Sequence, residues 1–272
     1  MRIAIYQCES EPTEVERNLQ RLARVVERAS AAGVALLICP EMYLTGYNIG
    51  TDAARRLAEP RDGPSANAVA EMARKNGVAI AYGYPERGTA DAVFNSVQLF
   101  GADGSPLANY RKTHLFGDLD KSMFTASDAD SAVVELGGWR VGFLICYDVE
   151  FPENARKLAL RGADLIVAPT ANMVPFEVVN TTIVPARAYE NQVYLAYANY
   201  CGGEGEIEYC GLSCVAAPDG STAARAGADE ELIVGELDHG LLTASRQATT
   251  YLTDRRPQLY VALTTPTADL AE

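Results

Sequence analysis

Gly142-Phe143-Leu144-Ile145-Cys146-Tyr147-Asp148-Val149-Glu150-Phe151-Pro152-Glu153-Asn154-Ala155-Arg156 decides how the rest of the chain is read. Its apolar start predicts a buried strand, its acidic and aromatic middle a turn, and Pro152 the first turn of a helix. A strand that runs directly into a helix is the repeating unit of an α/β fold. The Cys146 thiol then stands at the carboxyl end of a strand, where such folds place ligands. The positive end of the following helix would favour its thiolate, which makes Cys146 a candidate nucleophile.

The same alternation extends in both directions. Residues 3–8 read as a strand, and 14–32 as a helix opened by the capping box Thr13-Glu14-Val15-Glu16 and closed by Gly33. Residues 34–39 predict a buried strand ending at Pro40-Glu41, and 64–76 a second helix capped by Gly77. Strands follow over 78–84, 94–100 and 107–112, the last two joined by the turn Gly101-Ala102-Asp103-Gly104. The second half repeats the order, with strands over 139–146, 164–169, 193–200, 211–217 and 231–237 and helices over 152–161 and 177–190. Each half reads β-α-β-α-β-β-β, which is an α/β fold. Parallel strands need both sheet faces covered. Two halves packed sheet on sheet would give a four-layer α-β-β-α sandwich, but the pattern alone equally allows three layers.

No low-complexity linker separates the halves, so residues 1–246 are expected to form one domain. Residues 247–272 read as an arm that docks on the domain or across an oligomer interface, with its end, from about 266, fraying. The 272 residues suffice for a large core, and no apolar run is long enough to cross a membrane. The start leads straight into a strand without a signal-peptide pattern, so a cytoplasmic location is the default expectation. A net charge of −13 argues against a nucleic-acid partner. Cys8, Cys39 and Cys214 sit in apolar runs as small core residues, and Cys201, Cys210 and Cys214 match no common zinc spacing.

Three reactive side chains fall at predicted strand ends: Glu41, Lys112 and Cys146. In an α/β fold these ends share a rim, so residues distant in sequence can meet. Taken singly, each has an ordinary explanation as a loop acid, a surface lysine or a core cysteine. Together, with Cys39-Pro40-Glu41-Met42-Tyr43-Leu44-Thr45-Gly46-Tyr47 and Tyr110-Arg111-Lys112-Thr113-His114-Leu115, they make the sequence resemble the nitrilase, or carbon–nitrogen hydrolase, superfamily. The resemblance covers nearly the whole chain. It implies the α-β-β-α sandwich and a Glu-Lys-Cys triad at Glu41, Lys112 and Cys146. The thiol would attack an amide carbonyl, Glu41 would shuttle protons, and Lys112 with the Tyr147 backbone N–H would hold the oxyanion. The resemblance implies no metal and no organic cofactor. It also implies a homodimer or larger homo-oligomer.

Many members of the superfamily carry a further glutamate near the triad. Here the matching stretch is Asp120-Lys121-Ser122-Met123-Phe124, one methylene shorter, with Asp118 as a rival. Strand alternation would put Tyr110, Lys112 and His114 on one face, which opens a Cys–His reading against a packed, supporting His114. Thr45-Gly46-Tyr47-Asn48-Ile49-Gly50, Tyr82 to Gly88, Ala198-Asn199-Tyr200-Cys201-Gly202 and Glu206 to Gly211 further resemble the bacterial 5-aminopentanamidases of lysine breakdown. That resemblance implies hydrolysis of 5-aminopentanamide to 5-aminopentanoate and ammonia. Its substrate ends in an ammonium group, for which an acidic or aromatic wall is needed. Glu150, Glu204, Glu206 and Glu208 are the candidate acids, with Tyr47 a further substrate-binding candidate; Glu150 could instead pair with Arg156. The alternatives are an N-carbamoylputrescine amidohydrolase, an ω-amidase, a nitrilase acting on C≡N, and a non-catalytic assembly subunit.

Overall fold

Alternating side chains on the first strand explain the layering. Ile3 and Ile5 point into one core, while Ala4, Tyr6 and Cys8 point into another, and all are buried. A strand apolar on both faces must be covered on both. The computed structural model describes residues 1–264. Its first part runs β1 (Arg2–Glu9), α1 (Val15–Ala31), β2 (Leu36–Ile38), α2 (Gly50–Leu57), α3 (Pro64–Asn76), β3 (Ala79–Arg87), β4 (Val93–Phe100), β5 (Pro106–Arg111) and α4 (Gly117–Met123). After β6 (Val134–Leu136) and β7 (Trp139–Phe143) a 3₁₀ turn, Cys146–Glu150, leads into α5 (Pro152–Leu160) and β8 (Leu165–Pro169). A π-helical turn, Val179–Ile183, opens α6 (Val184–Asn191). The remainder is β9 (Tyr194–Ala198), β10 (Tyr200–Glu204), β11 (Ile207–Cys210), β12 (Cys214–Ala216), β13 (Thr222–Arg225), β14 (Glu231–Glu236) and α7 (His239–Ala248).

The strands form two sheets. One has the order β11-β10-β1-β2-β3-β4-β5, with β14 also on β1; the other has the order β13-β12-β9-β8-β7-β6. Ile3, Ile5, Leu36 and Ile38 of the first meet Trp139, Val141, Phe143, Leu165 and Val167 of the second in a central core. Outside them, α1 and α3 cover one sheet through Leu22, Val26 and Val69, and α5 and α6 cover the other through Leu158, Val184 and Ala188. This is the four-layer α-β-β-α arrangement, and it removes the three-layer alternative.

Several local expectations change. The capping box does not form: Thr13 has φ +63°, its N–H donates to the Thr45 carbonyl, and no side chain caps α1 at Glu14. α3 matches its predicted range, with Gly77 left-handed behind it. The helices α2, α4 and α7 and the strands β6, β10, β11 and β13 are additional. The two halves are not two closed sheets, because β10, β11 and β14 of the second half join the first sheet through β1. The arm begins within α7; beyond it Tyr251 packs edge-on against Tyr189 of α6, and Leu259, Val261 and Leu263 are exposed. The expected fraying end, 266–272, lies outside the described residues.

One glycine sets where the segment after β2 can run. A Cβ on Gly83 of β3 would stand 2.2 Å from the Met42 nitrogen and 2.8 Å from the Glu41 carbonyl carbon. Both contacts are backbone and cannot swing aside. Gly83→Ala should therefore lower the unfolding free energy by about 1–3 kcal/mol, the usual range for overpacking. Urea denaturation measures it, and wild-type stability would contradict the close approach.

Candidate active site

Strand direction brings the three reactive residues to one place. β1, β2 and β3 are parallel, β4 reverses, and β5 reverses again, so β2 and β5 end on the same rim. Glu41 follows β2 and Lys112 follows β5, and both side chains are fully buried. The Lys112 Nζ donates to Glu41 Oε1 at 2.7 Å and to Asp120 Oδ2 at 2.6 Å. Asn95 of β4 donates to the same Glu41 oxygen at 2.6 Å, and the Phe116 N–H donates to Asp120 Oδ2 at 2.9 Å. Each carboxylate keeps one buried oxygen, Glu41 Oε2 and Asp120 Oδ1, with no hydrogen-bond partner among the described residues.

Cys146 comes from the facing sheet, at the head of the 3₁₀ turn after β7, and is 9% exposed. Burial and the Glu41 charge push its thiol well above the ordinary value; Lys112, the Thr170 hydroxyl and the Ala171 N–H only partly oppose this. The resting group is therefore a thiol. The expected thiolate is not favoured: α5 begins only at Pro152, and burial with the Glu41 charge outweighs the Lys112 ammonium. Burial likewise raises Glu41, against Lys112, with Asp120 adding to the rise. Burial alone would lower Lys112, but Glu41 and Asp120 overcome it and hold the ammonium well above its usual range.

Asp148 holds the nucleophile turn. Cys146 has φ +46°, a conformation costing a non-glycine residue roughly 1–3 kcal/mol. Buried Asp148 accepts from the Ile145 N–H at 3.1 Å and the Tyr110 hydroxyl at 2.9 Å through Oδ2. Through Oδ1 it accepts from the Thr113 hydroxyl and the His114 N–H, both at 2.9 Å. The carboxylate thus ties the Cys146 turn to the residues on both sides of Lys112.

The structure sorts the other sequence candidates. Tyr47 is buried with its ring centroid 5.8 Å from the Lys112 Nζ, inside the site. Asp120 is inside and Asp118 exposed, so the rival falls away. His114 does not share a face with Lys112, because β5 ends at Arg111; its Nδ1 lies 2.9 Å from Asp148 Oδ1 and its ring stacks on Phe151 at 4.1 Å. It has no hydrogen bond to Glu41, Lys112 or Cys146 among the described residues, so His114 supports the turn and the Cys–His reading is dropped. The Tyr147 N–H is on the turn beside Cys146. Glu150 makes no ion pair with Arg156 or any other described residue; Arg187 instead donates to the Val149 and Glu150 carbonyls at 3.0 and 2.9 Å. Burial raises the Glu150 pKa against the opposing fields of Lys112 and Arg187. Glu206 and Glu208 are exposed, and Glu204 is buried in a backbone clamp. Asn95 and Asp148 were missed as site residues. Asn95 carries no pattern signal within its strand, whereas Asp148, two residues after the candidate nucleophile, could have been suspected.

A buried glutamate, lysine and cysteine on facing sheets of an α-β-β-α sandwich define an amide-hydrolase type of site. The chain belongs to the carbon–nitrogen hydrolase family, whose profile matches residues 2–247. It is similar to the "Hydrolase in pqqF 5'region" of Pseudomonas protegens, 58% identical over 260 residues, which cover 96% of this chain and 90% of that protein. It is also 36% identical to an (R)-stereoselective amidase of a Pseudomonas species, over 95% of this chain and 93% of the relative. Among solved structures, an amidase from Nesterenkonia sp. superposes with a TM-score of 0.88 at 32% identity, over 97% of this chain and 96% of that one. A mutant of the amidase from Nesterenkonia sp. AN1, with a TM-score of 0.84 at 31% identity over 97% of this chain and 99% of that one, shows Michael addition of acrylamide at the active-site cysteine.

Removing the Asp148 carboxylate strands several buried donors at roughly 1–3 kcal/mol each. Asp148→Ala should lose at least about 3 kcal/mol of stability and most turnover, while His114→Gln keeps turnover within about tenfold of wild type. Urea unfolding and ammonia release measure both. A His114→Gln enzyme as dead as Cys146→Ala would restore a chemical role for the imidazole.

Proposed function

We propose that the chain hydrolyses the terminal amide of a small linear amide bearing a distal ammonium group, with 5-aminopentanamide as substrate. The observation that carries the amidase chemistry is the Lys112 ammonium held between Glu41 and Asp120, each with one unpartnered oxygen, beside the Cys146 thiol. An amide NH₂ has two N–H donors, and free carboxylate oxygens are the acceptors it needs. Glu41 takes the Cys146 proton as the sulfur adds to the carbonyl carbon. Lys112 and the Tyr147 N–H stabilise the oxyanion. Collapse breaks the C–N bond, Glu41 passes the proton to the departing nitrogen, and ammonia leaves. Water, deprotonated by Glu41, then adds to the thioester; the acid is released and the proton returns to sulfur. Asp120 orients the amide and holds Lys112.

Glu150 supports the amine-bearing substrate class. It is partly buried, lies within the field of Lys112 and carries no ion pair among the described residues, whereas Glu204 is occupied and Glu206 and Glu208 face solvent. A second copy of the chain is the proposed partner, and the cytoplasm the proposed location.

Ammonia release across 5-aminopentanamide, N-carbamoylputrescine, glutaramate-type acids and simple aliphatic amides tests the reading, with kcat/KM highest for the first. A preference for the acids would overturn it. Glu150→Gln should lower kcat/KM for 5-aminopentanamide relative to pentanamide by about tenfold, or about 1.4 kcal/mol; an unchanged ratio removes Glu150. The pH profile follows from the directions above. Glu41 gains its proton at a pH above the ordinary 4.5, so kcat/KM falls on acidification at a limb above that value. Cys146 keeps its proton beyond the ordinary 9.0, so no thiol limb is expected at or below it. Initial-rate assays over that range check the acid limb and the absence of a thiol limb.

A further inference from the structure

Glu204 is a fully used buried acid that the chemistry above leaves without a role. Its Oε1 accepts from the Asn48 N–H at 2.8 Å, and its Oε2 from the Tyr47 N–H at 3.2 Å and the Tyr209 hydroxyl at 2.6 Å. A Cβ on Gly46 would come within 2.7 Å of the same carboxylate, so the turn there must be glycine for the acid to reach the backbone. Glu204 ends β10 and Tyr209 lies on β11, so the hairpin grips the segment after Glu41 through one side chain pair.

The opposite edge of the hairpin grips the other wall. The Val174 N–H donates to the Glu208 carbonyl at 2.9 Å, the Cys210 N–H donates to the Asn172 carbonyl at 3.2 Å, and Met173 bridges to Tyr209. That segment follows Ala171, whose backbone N–H lowers the proton affinity of the Cys146 thiol. The β10–β11 hairpin therefore spans from the Tyr47 wall to the nucleophile wall. Tyr47 itself lies in the combined field of Lys112, Asp120, Glu41 and Cys146.

We propose that Glu204, with Tyr209, is a positioning residue that sets amide chain-length selectivity by fixing Tyr47 against the Cys146 side of the site. The proposal deepens the amidase reading, on which it rests. Gln at 204 would turn an N–H₂ toward a backbone N–H, so the clamp loses one acceptor while side-chain volume is kept. Tyr209→Phe removes one hydrogen bond and is the milder variant should Glu204→Gln fail to fold.

The test compares kcat/KM for the longest linear amide that the wild-type enzyme turns over with that for acetamide. Glu204→Gln should lower the long-to-short ratio at least tenfold, and Tyr209→Phe about threefold in the same direction. Alkylation of Cys146 by iodoacetamide should stay within threefold of wild type in both, since neither substitution removes a hydrogen bond of Glu41, Lys112 or Cys146. Equal losses on both amides, or an unchanged ratio in the folded variants, would overturn the proposal. A wild-type enzyme that ignores amine-bearing amides but turns over other linear ones would refute the substrate assignment alone, because the ratio is read on whichever long amide it accepts.

Discussion

Lys112 is a fully buried ammonium, and much of the site follows from that constraint. A buried charge must be paired and hydrogen-bonded, and here two carboxylates do it at 2.6 and 2.7 Å. Burial, with the Glu41 charge beside it, outweighs the Lys112 ammonium and keeps the proton on the neighbouring Cys146. A nucleophile that rests protonated needs a base at hand, and burial raises the proton affinity of Glu41 toward that task, with Asp120 adding to the rise against Lys112. Such a triad contributes little to stability, because desolvation offsets the Coulomb attraction. Its value is in preorganisation: the donor is aimed before any oxyanion forms.

The scaffold delivers this geometry through strand ends. Two successive reversals, at β4 and β5, return Lys112 to the rim of β2, and the facing sheet supplies Cys146. Gly83 lets the Glu41 backbone cross β3, and Asp148 closes the nucleophile turn onto the segment carrying Lys112. The β10–β11 hairpin closes the remaining side through Glu204. Each of these is a contact between residues far apart in the chain, so the site forms only when both sheets have packed.

Periodic signals hold where local chemistry dominates. The helix from Pro64 to Asn76 with Gly77 behind it needs only proline, apolar spacing and a left-handed glycine. The capping box at Thr13 failed because the Thr45 carbonyl takes the Thr13 N–H, a tertiary contact outweighing a local motif. Strand alternation misplaced His114, because β5 stops at Arg111 and the chain turns toward Asp148. The acids of the 204–208 loop looked equivalent in sequence. Burial separates them, leaving Glu206 and Glu208 in water and Glu204 against the Tyr47 backbone.

The amino-acid sequence by itself determined the α/β alternation, the three strand ends carrying Glu41, Lys112 and Cys146, and the family they mark. Those features depend on periodicity and on short blocks, which are local. Only the tertiary structure decided that Asp120 rather than Asp118 meets Lys112, that Cys146 rests as a thiol, and that β14 crosses to the first sheet. It also set Glu204, the clamp, apart from Glu150, an acid without an ion pair among the described residues. The physical reason is that burial and hydrogen-bond closure are set by groups far away in the chain, 157 positions in the case of Tyr47 and Glu204. No local pattern encodes which of several like residues is desolvated.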